Sequence, residues 1–340
     1  LDAILFWSLE NIRYLCGFTG SDGALIWGVE ERVFLSDSRY EEQAKAEVKA
    51  AVFQKYRKKV EGVAQRLRAM KVKRLGFEAP VLSWETHRRL SGLLPRVCLV
   101  PLSGEIAGLR ARKTPEEIGK IRRAVDIASQ SFRDLLPRVK AGAREKTLAD
   151  FLEIRMKRRG GEDPSFPTIV ASGYRGALPH GKASEKKLER RDLTVIDFGT
   201  RYEGYHSDET KTLILGRPDP LQKKIYDLVR RAQEKALAAV RPGASVRRID
   251  AAAREVISRA GYGKFFGHGT GHGIGLAVHE APNLSPRGSG AVKEGMVFSI
   301  EPGIYLPGWG GVRLEDLVRV TGRGCEVLTY LSKDLKDNIV

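Results

Sequence analysis

Cysteine and histidine are scarce in this 340-residue sequence, and long apolar runs are missing. The three cysteines (Cys16, Cys98 and Cys325) are odd in number and far apart, with no CxxC pair. That excludes a disulfide framework and a zinc–thiolate site, and it implies free thiols in a reducing compartment, the cytoplasm. No stretch approaches the roughly 18 apolar residues of a membrane span, so no membrane partner is expected. The opening LDAILFWSLENIRYLCGF is apolar but carries Asp2, Glu10 and Arg13 and has no basic leader, unlike a signal peptide. A hydrophobic content of 42% with 30% charged residues excludes a disordered chain and leaves room for a sizeable core.

Charge is present in excess, at a net +17. Such a balance raises the question of a nucleic-acid partner. The basic residues, however, are scattered as YRKK (56–59), MKRR (156–159) and EKKLERR (185–191), often mixed with glutamate and without aromatic interleaving. They read as solvated helix faces, and no nucleic-acid partner is expected.

The pattern of elements predicts two domains. Over residues 1–108, apolar strands at 24–29 and 32–36 form a hairpin, followed by a helix in SRYEEQAKAEVKA and a strand in KRLGFEA. A helix that Ser83 can cap and a strand at 96–102 complete a small α/β unit. The junction falls within 104–113. Residues 109–340 then open on KTPEEIGK, where Thr114 at N-cap, Pro115 at N1 and Glu117 at N3 make a capping box. A helix pair and strands (167–172, 193–199, 211–216) are followed by a second helix pair and strands (296–306, 312–320, 325–331). This reads as an α+β unit built twice, with one site shared between its two sheets.

The candidate chemistry lies in residues that such strands should not carry. Asp197 sits in VIDFG, Glu301 in VFSIEPGIY, Glu315 in VRLEDLVRV, and Asp208 follows eleven residues after Asp197. Taken singly, each acid also reads as a strand-end cap, a turn residue or half of a salt bridge. Taken with His272 they are four carboxylates and an imidazole entering from apolar segments, which strong positive charge must hold together. Two divalent cations supply it, and oxygen ligands with one nitrogen suit Mn²⁺, with Co²⁺ or Zn²⁺ as alternatives. Three of the six histidines (His268, His272, His279) lie in GHGTGHGIGLAVHE (267–280). Its five glycines disfavour a helical HxxxH site, no HExxH is present, and neither GxGxxG nor a P-loop ending fits. The alternation of Ile274, Leu276 and Val278 predicts a buried strand with His272 near its start.

SFPTIVASGYRGALPHG (165–181), VIDFGTRYEGYHSDETKT (195–212), FGHGTGHGIGLAVHEAP (266–282), FSIEPGIYLPG (298–308) and GVRLEDLVRV (311–320) resemble the successive motifs of the pita-bread metallopeptidases. Within these the similarity is to the Xaa-Pro dipeptidase (prolidase) and aminopeptidase P branch, and it covers 114–340. FLSDSRYEEQA (34–44) resembles the creatinase-type N-terminal domain. The resemblance implies a pita-bread fold of pseudo-twofold duplicated α+β units behind a smaller α/β domain. It also implies a dinuclear centre, with Asp208 and Glu315 shared by both metals, Asp197 on one, and His272 with Glu301 on the other. By the same resemblance a metal-bridging hydroxide attacks the X-Pro bond, Glu301 takes its proton and His279 meets the oxyanion. His180, His268, Arg313 and Tyr305 become substrate contacts, His180 is also counted with Glu301 and His279 as catalytic, and Arg313 backs the carboxylates as well. Arg39 and Tyr40 reach a neighbouring subunit's site in a homodimer. His87 and His206 receive no role.

One departure stands out. Many prolidases carry arginine where this chain has Asn283, which leaves the holder of a substrate's carboxylate unassigned. The activity the resemblance implies is hydrolysis of X-Pro dipeptides, with aminopeptidase P action on longer peptides as the neighbouring reading. A non-catalytic binding protein on the same fold is the reading from another class, supported by the positive charge alone. A methionine aminopeptidase usually lacks the N-terminal domain, and creatinase lacks the ligand set kept here.

Overall fold

A computed structural model describes residues 1–340, which divide into two compact units, Leu1–Arg110 and Ala111–Val340. No helix is long and apolar enough to cross a membrane.

The first unit runs β1 (Ala3–Phe6), α1 (Leu9–Cys16), β2 (Ala24–Gly28), β3 (Arg32–Ser36), α2 (Glu41–Glu47), β4 (Val52–Lys55), α3 (Lys59–Ala69), β5 (Arg74–Glu78), α4 (Trp84–Leu93), β6 (Cys98–Leu102) and α5 (Gly104–Ala107). The six strands form one mixed sheet ordered β4-β3-β2-β1-β5-β6. Successive strand residues point to opposite faces, so each strand feeds two cores. Leu5, Ile26 and Leu35 pack with Val63, Leu67 and Leu90 on one face, while Phe6, Leu25 and Phe34 pack with Ile12 and Phe18 on the other. The hairpin and the Ser83 cap are as expected; the Ser83 oxygen accepts the Thr86 N–H at 3.2 Å.

The second unit opens on α6 (Pro115–Leu135), whose capping box of Thr114 and Glu117 is complete, and α7 (Glu145–Arg158). Then come β7 (Ile169–Ser172), β8 (Leu193–Phe198), β9 (Arg201–Tyr202), β10 (Tyr205–His206) and β11 (Glu209–Ile214). Helices α8 (Pro220–Ala239) and α9 (Val246–Arg259) follow, each with a side-chain N-cap, from Asp219 and Ser245. The chain finishes through β12 (Gly271–Gly273), β13 (Glu280–Leu284), β14 (Val297–Ile300), β15 (Gly303–Leu306), β16 (Gly310–Arg313), β17 (Asp316–Val320) and β18 (Cys325–Val327). The helix pair and sheet are indeed built twice. Phe132, Leu135 and Leu152 of α6/α7 pack on Val170, Ile196 and Leu213 of the antiparallel sheet β11-β8-β7. Tyr226, Val229, Ile249 and Ile257 of α8/α9 pack on Phe298, Ile300 and Val318, from the antiparallel sheet β13-β12-β14-β17-β18.

Three strands expected to be continuous are interrupted. The run 296–306 breaks at Glu301–Pro302, because proline brings no N–H to a ladder. The run 312–320 breaks at Leu314–Glu315. The strand expected through Ile274, Leu276 and Val278 stops at Gly273, and the following residues bend instead. A register shift follows His272, where Gly273 lies so close to the neighbouring strand that a Cβ would come within 2.1 Å of the Ala281 oxygen. Strands β1, β4, β9, β10 and β13 and helices α1, α3 and α5 are additions to the sequence reading.

Candidate metal centre

The two strand breaks and two strand-end turns aim acidic side chains into one cavity of about 710 Å³. Asp197 stands on β8, and Asp208 in the link between β10 and β11. Glu301 and Glu315 sit at the breaks after β14 and before β17, where a carboxylate is released from the face its strand would impose. His272 is the middle residue of β12. A Cβ at Gly271 would fall 1.8 Å from the Ser299 oxygen, so glycine is what lets β12 run against β14 with His272 between them. Helix α9 clasps the same loop. Buried Asp250 accepts from the Thr270 amide (3.1 Å) and hydroxyl (2.8 Å), and its partner Arg254 donates to the Phe266 and His268 carbonyls.

Asp208, His272 and Glu315 bring one ligand atom each within 4.8 Å of one another. His272 Nε2 lies 3.3 Å from Glu301 Oε1 and 3.6 Å from Asp208 Oδ2. Its other nitrogen, Nδ1, donates to the Gly273 carbonyl at 3.1 Å. Burial holds the His272 pKa below its ordinary value, so the ring is neutral and its one proton is on Nδ1. The bare lone pair of Nε2 therefore faces the oxygens of two acidic side chains. Burial, with Glu315, Asp197 and Glu301 adding repulsion, raises Asp208 well above the usual carboxylate range. Glu315 is raised in the same way, by burial and then by Glu301 and Asp197. Burial also raises Glu301, against the pull of His268 and Arg313. Asp197 Oδ1 and Glu315 Oε1 are buried with no hydrogen-bond partner. Unpartnered oxygens, mutually repelling acids and a deprotonated imidazole nitrogen form a donor set that fits divalent cations.

The remaining oxygens are held by neighbours. Arg313 is the hub: it donates to Asp197 Oδ2 at 2.6 Å, to Thr210 Oγ1 at 3.0 Å, and to Tyr305 Oη and the Pro179 carbonyl at 2.9 and 3.0 Å. Thr210 in turn donates to Glu315 Oε2 at 2.7 Å. Burial opposes the guanidinium charge, but Tyr305, Asp197 and Glu301 outweigh it and keep Arg313 protonated. Tyr305, its pKa pushed up to about 12 by burial, pairs with His268 Nε2 at 2.9 Å. Because His268 Nδ1 donates to the Gly269 carbonyl at 2.7 Å, the tyrosine hydroxyl is the donor to a neutral ring. The His279 ring packs 4.2 Å from that of His272, and His180 lines the cavity. Replacing Arg313 with methionine should weaken divalent-metal affinity about 10- to 100-fold, the usual cost of losing a partner that orients a ligand. A Mn²⁺ titration followed calorimetrically measures it.

Of the sequence-predicted site residues only Arg39 and Tyr40 stand elsewhere, in the first unit, where Arg39 is exposed and paired with Asp37 at 2.7 Å. His87 packs on Trp84, and His206 is buried in β10. Sequence reasoning missed three groups. Thr210 and Ser299 tie the carboxylates to each other and to the backbone, Ser299 Oγ donating to Glu301 and accepting from the His272 N–H. The buried pair Lys113–Glu280 (2.5 Å) sits beside His279. Behind Asp208 and Glu315, their chain neighbours Glu209 and Asp316 turn the other way into a buried cluster. Lys211 lies 3.1 Å from Glu209, and Lys333 pairs with Asp316. A lysine in the apolar strand KTLILG was the signal for that cluster.

The pattern of metallopeptidase family M24 matches residues 119–322, and that of the creatinase/prolidase N-terminal domain matches residues 1–112. The Xaa-Pro dipeptidase of Pyrococcus horikoshii is 38% identical over 339 residues, covering 98% of this chain and 94% of its own. Among solved structures, the Xaa-Pro dipeptidase from Bacillus anthracis superposes with a TM-score of 0.96 at 38% identity, covering 100% of this chain and 95% of that one. The X-Pro aminopeptidase from Thermotoga maritima superposes at 0.90 and 38% identity, covering 100% and 98%.

Proposed function

We propose, from the premise that this chain belongs to metallopeptidase family M24, that it hydrolyses the X-Pro bond of dipeptides with two divalent cations, Mn²⁺ first among them. The observation that carries this reading is the bare His272 Nε2 set 3.3 and 3.6 Å from two buried acids, an arrangement that fits a cation. Asp197, Asp208, His272, Glu301 and Glu315 would hold the pair. When bound, such ions lower the pKa of a water towards neutrality and draw electron density from a carbonyl oxygen.

The chain's own residues do the rest. Glu301, whose carboxylate burial makes more basic than an ordinary one, accepts the proton lost by the attacking water. A neutral His279 donates an N–H to the carbonyl oxygen as charge develops there. His180 and His268 orient the peptide, and Tyr305 keeps His268 in the tautomer that accepts from its hydroxyl. We place the enzyme in the cytoplasm as a homodimer, with Arg39 and Tyr40 reaching the neighbouring subunit's site, and with no nucleic-acid partner.

The likeness to the Thermotoga maritima X-Pro aminopeptidase favours a second reading, removal of the first residue from longer X-Pro peptides. Ala-Pro and Ala-Pro-Ala, assayed with Mn²⁺, Co²⁺ and Zn²⁺ in turn, separate the two. Hydrolysis of Ala-Pro is the expected result. Cleavage of the tripeptide alone selects the aminopeptidase, and cleavage of neither sinks both.

A further inference from the structure

A dipeptide presents a carboxylate three bonds beyond the carbon that is attacked, roughly 3–4 Å away by standard bond lengths. The acidic side chains at the floor of this cavity would be spent on the metal ions, so that anion calls for a cation of its own nearby. Two lysine or arginine side chains line the cavity, Arg313 and Lys182. Arg313 is buried, with four of its five N–H donors taken by Asp197, Thr210, Tyr305 and the Pro179 carbonyl. Lys182 is exposed at the rim, and its ammonium has no anionic partner in the chain. Asn283, also in the lining, is neutral.

The sheet fixes where Lys182 stands. It bridges Ile169 in antiparallel fashion, and Ile169 is the register partner of Asp197. Residues directly opposite one another share a face, so Lys182, Ile169 and Asp197 form one row across the cavity wall. Two strand spacings put the Lys182 backbone about 10 Å from that of Asp197. The long side chain can lean back over that gap towards the metal-side floor. Its backbone is anchored, because the Lys182 carbonyl accepts from Arg175 at 2.6 Å and Arg175 pairs with buried Glu145 at 3.0 Å.

The geometry points to Lys182 as the residue that holds the C-terminal carboxylate of an X-Pro dipeptide and so sets the preference for dipeptides. This assignment rests on the dipeptidase reading. Ile169 forms the apolar floor between ammonium and metal side, where the proline ring lies. A longer peptide has an amide where the carboxylate would be and gains nothing from the ammonium.

The test compares Ala-Pro with Ala-Pro-amide in the Mn²⁺-loaded enzyme and in Lys182→Met and Lys182→Arg. Loss of a hydrogen bond to a charged group predicts that Lys182→Met raises the KM for Ala-Pro about 10- to 100-fold, with kcat within twofold. The amide should be cleaved equally by both forms, which also shows that the variant is folded, and Lys182→Arg should restore most of the Ala-Pro KM. An unchanged KM in Lys182→Met, or equal losses on Ala-Pro and its amide, overturns the assignment while leaving the dipeptidase reading intact. An unsubstituted enzyme that ignores Ala-Pro but cleaves Ala-Pro-Ala defeats the dipeptidase reading and the assignment together.

Discussion

Asp208→Asn should abolish Ala-Pro hydrolysis and metal retention, and yet the metal-free variant should melt at a higher temperature than the metal-free parent. The first half follows from losing a buried carboxylate of the donor set. An outer partner of a metal ligand is worth about 10- to 100-fold, and a ligand itself should exceed that. The second half follows from burial and like charge, which raise the carboxyls of Asp208, Glu315 and Glu301. A carboxyl whose folded pKa exceeds its unfolded value binds more protons in the native state, so its contribution is lost as pH rises above the ordinary carboxylate range. The metal-free parent should therefore melt progressively lower as pH rises above the ordinary carboxylate range of about 4, and excess Mn²⁺ should remove that loss. A neutral asparagine relieves the repulsion, and each kcal/mol relieved is worth about 2–4 °C in a domain of this size. Calorimetric scans of parent and variant, with and without chelator, test both halves. A variant that keeps stoichiometric metal, or a metal-free variant that melts lower, contradicts the cluster described here.

His279→Ala should lower kcat by about 10²- to 10³-fold while leaving both metals bound, the cost of removing one donor to a developing oxyanion. The ring packs against His272 yet makes no approach to the carboxylates like that of His272 itself. Its pKa is lowered, by burial and then by His272, so at neutral pH it carries the single N–H this role requires. Metal content by mass spectrometry and kcat on Ala-Pro should thus separate it from His272→Ala, which should lose metal. If both variants lost metal alike, the division between ligand and oxyanion donor would be wrong.

How much of this was legible in the sequence depended on the physics of each element. The helix starts could be read because caps are local: Thr114, Glu117 and Ser83 act within one turn of themselves. The acids could be read because an apolar strand that carries Asp197, or a carboxylate beside Pro302, violates the ordinary solvation of its neighbours. The breaks at Glu301 and Glu315, and the bends after Gly273, could not, since alternation continues in the sequence where the backbone no longer pairs. Helix α3 escaped because KVEGVAQRLRA interleaves charged and apolar residues and its buried face is only Val63, Ala64 and Leu67. The Arg313 hub and the Lys211–Glu209 pair depend on contacts between distant strands, for which composition carries no signal.

The stitch between Thr210 and Glu315, in which the Glu315 amide reaches the Thr210 carbonyl at 3.2 Å and the threonine hydroxyl reaches the carboxylate, also sets a timetable. Asp197 and Asp208 leave the ribosome long before their partners, and Glu315 comes 118 positions after Asp197. At about 5–20 residues per second the early acids wait several seconds or more with no site to join. Metal capture therefore closes late in biosynthesis, once both halves of the catalytic unit exist, and an ion cannot nucleate the first half alone.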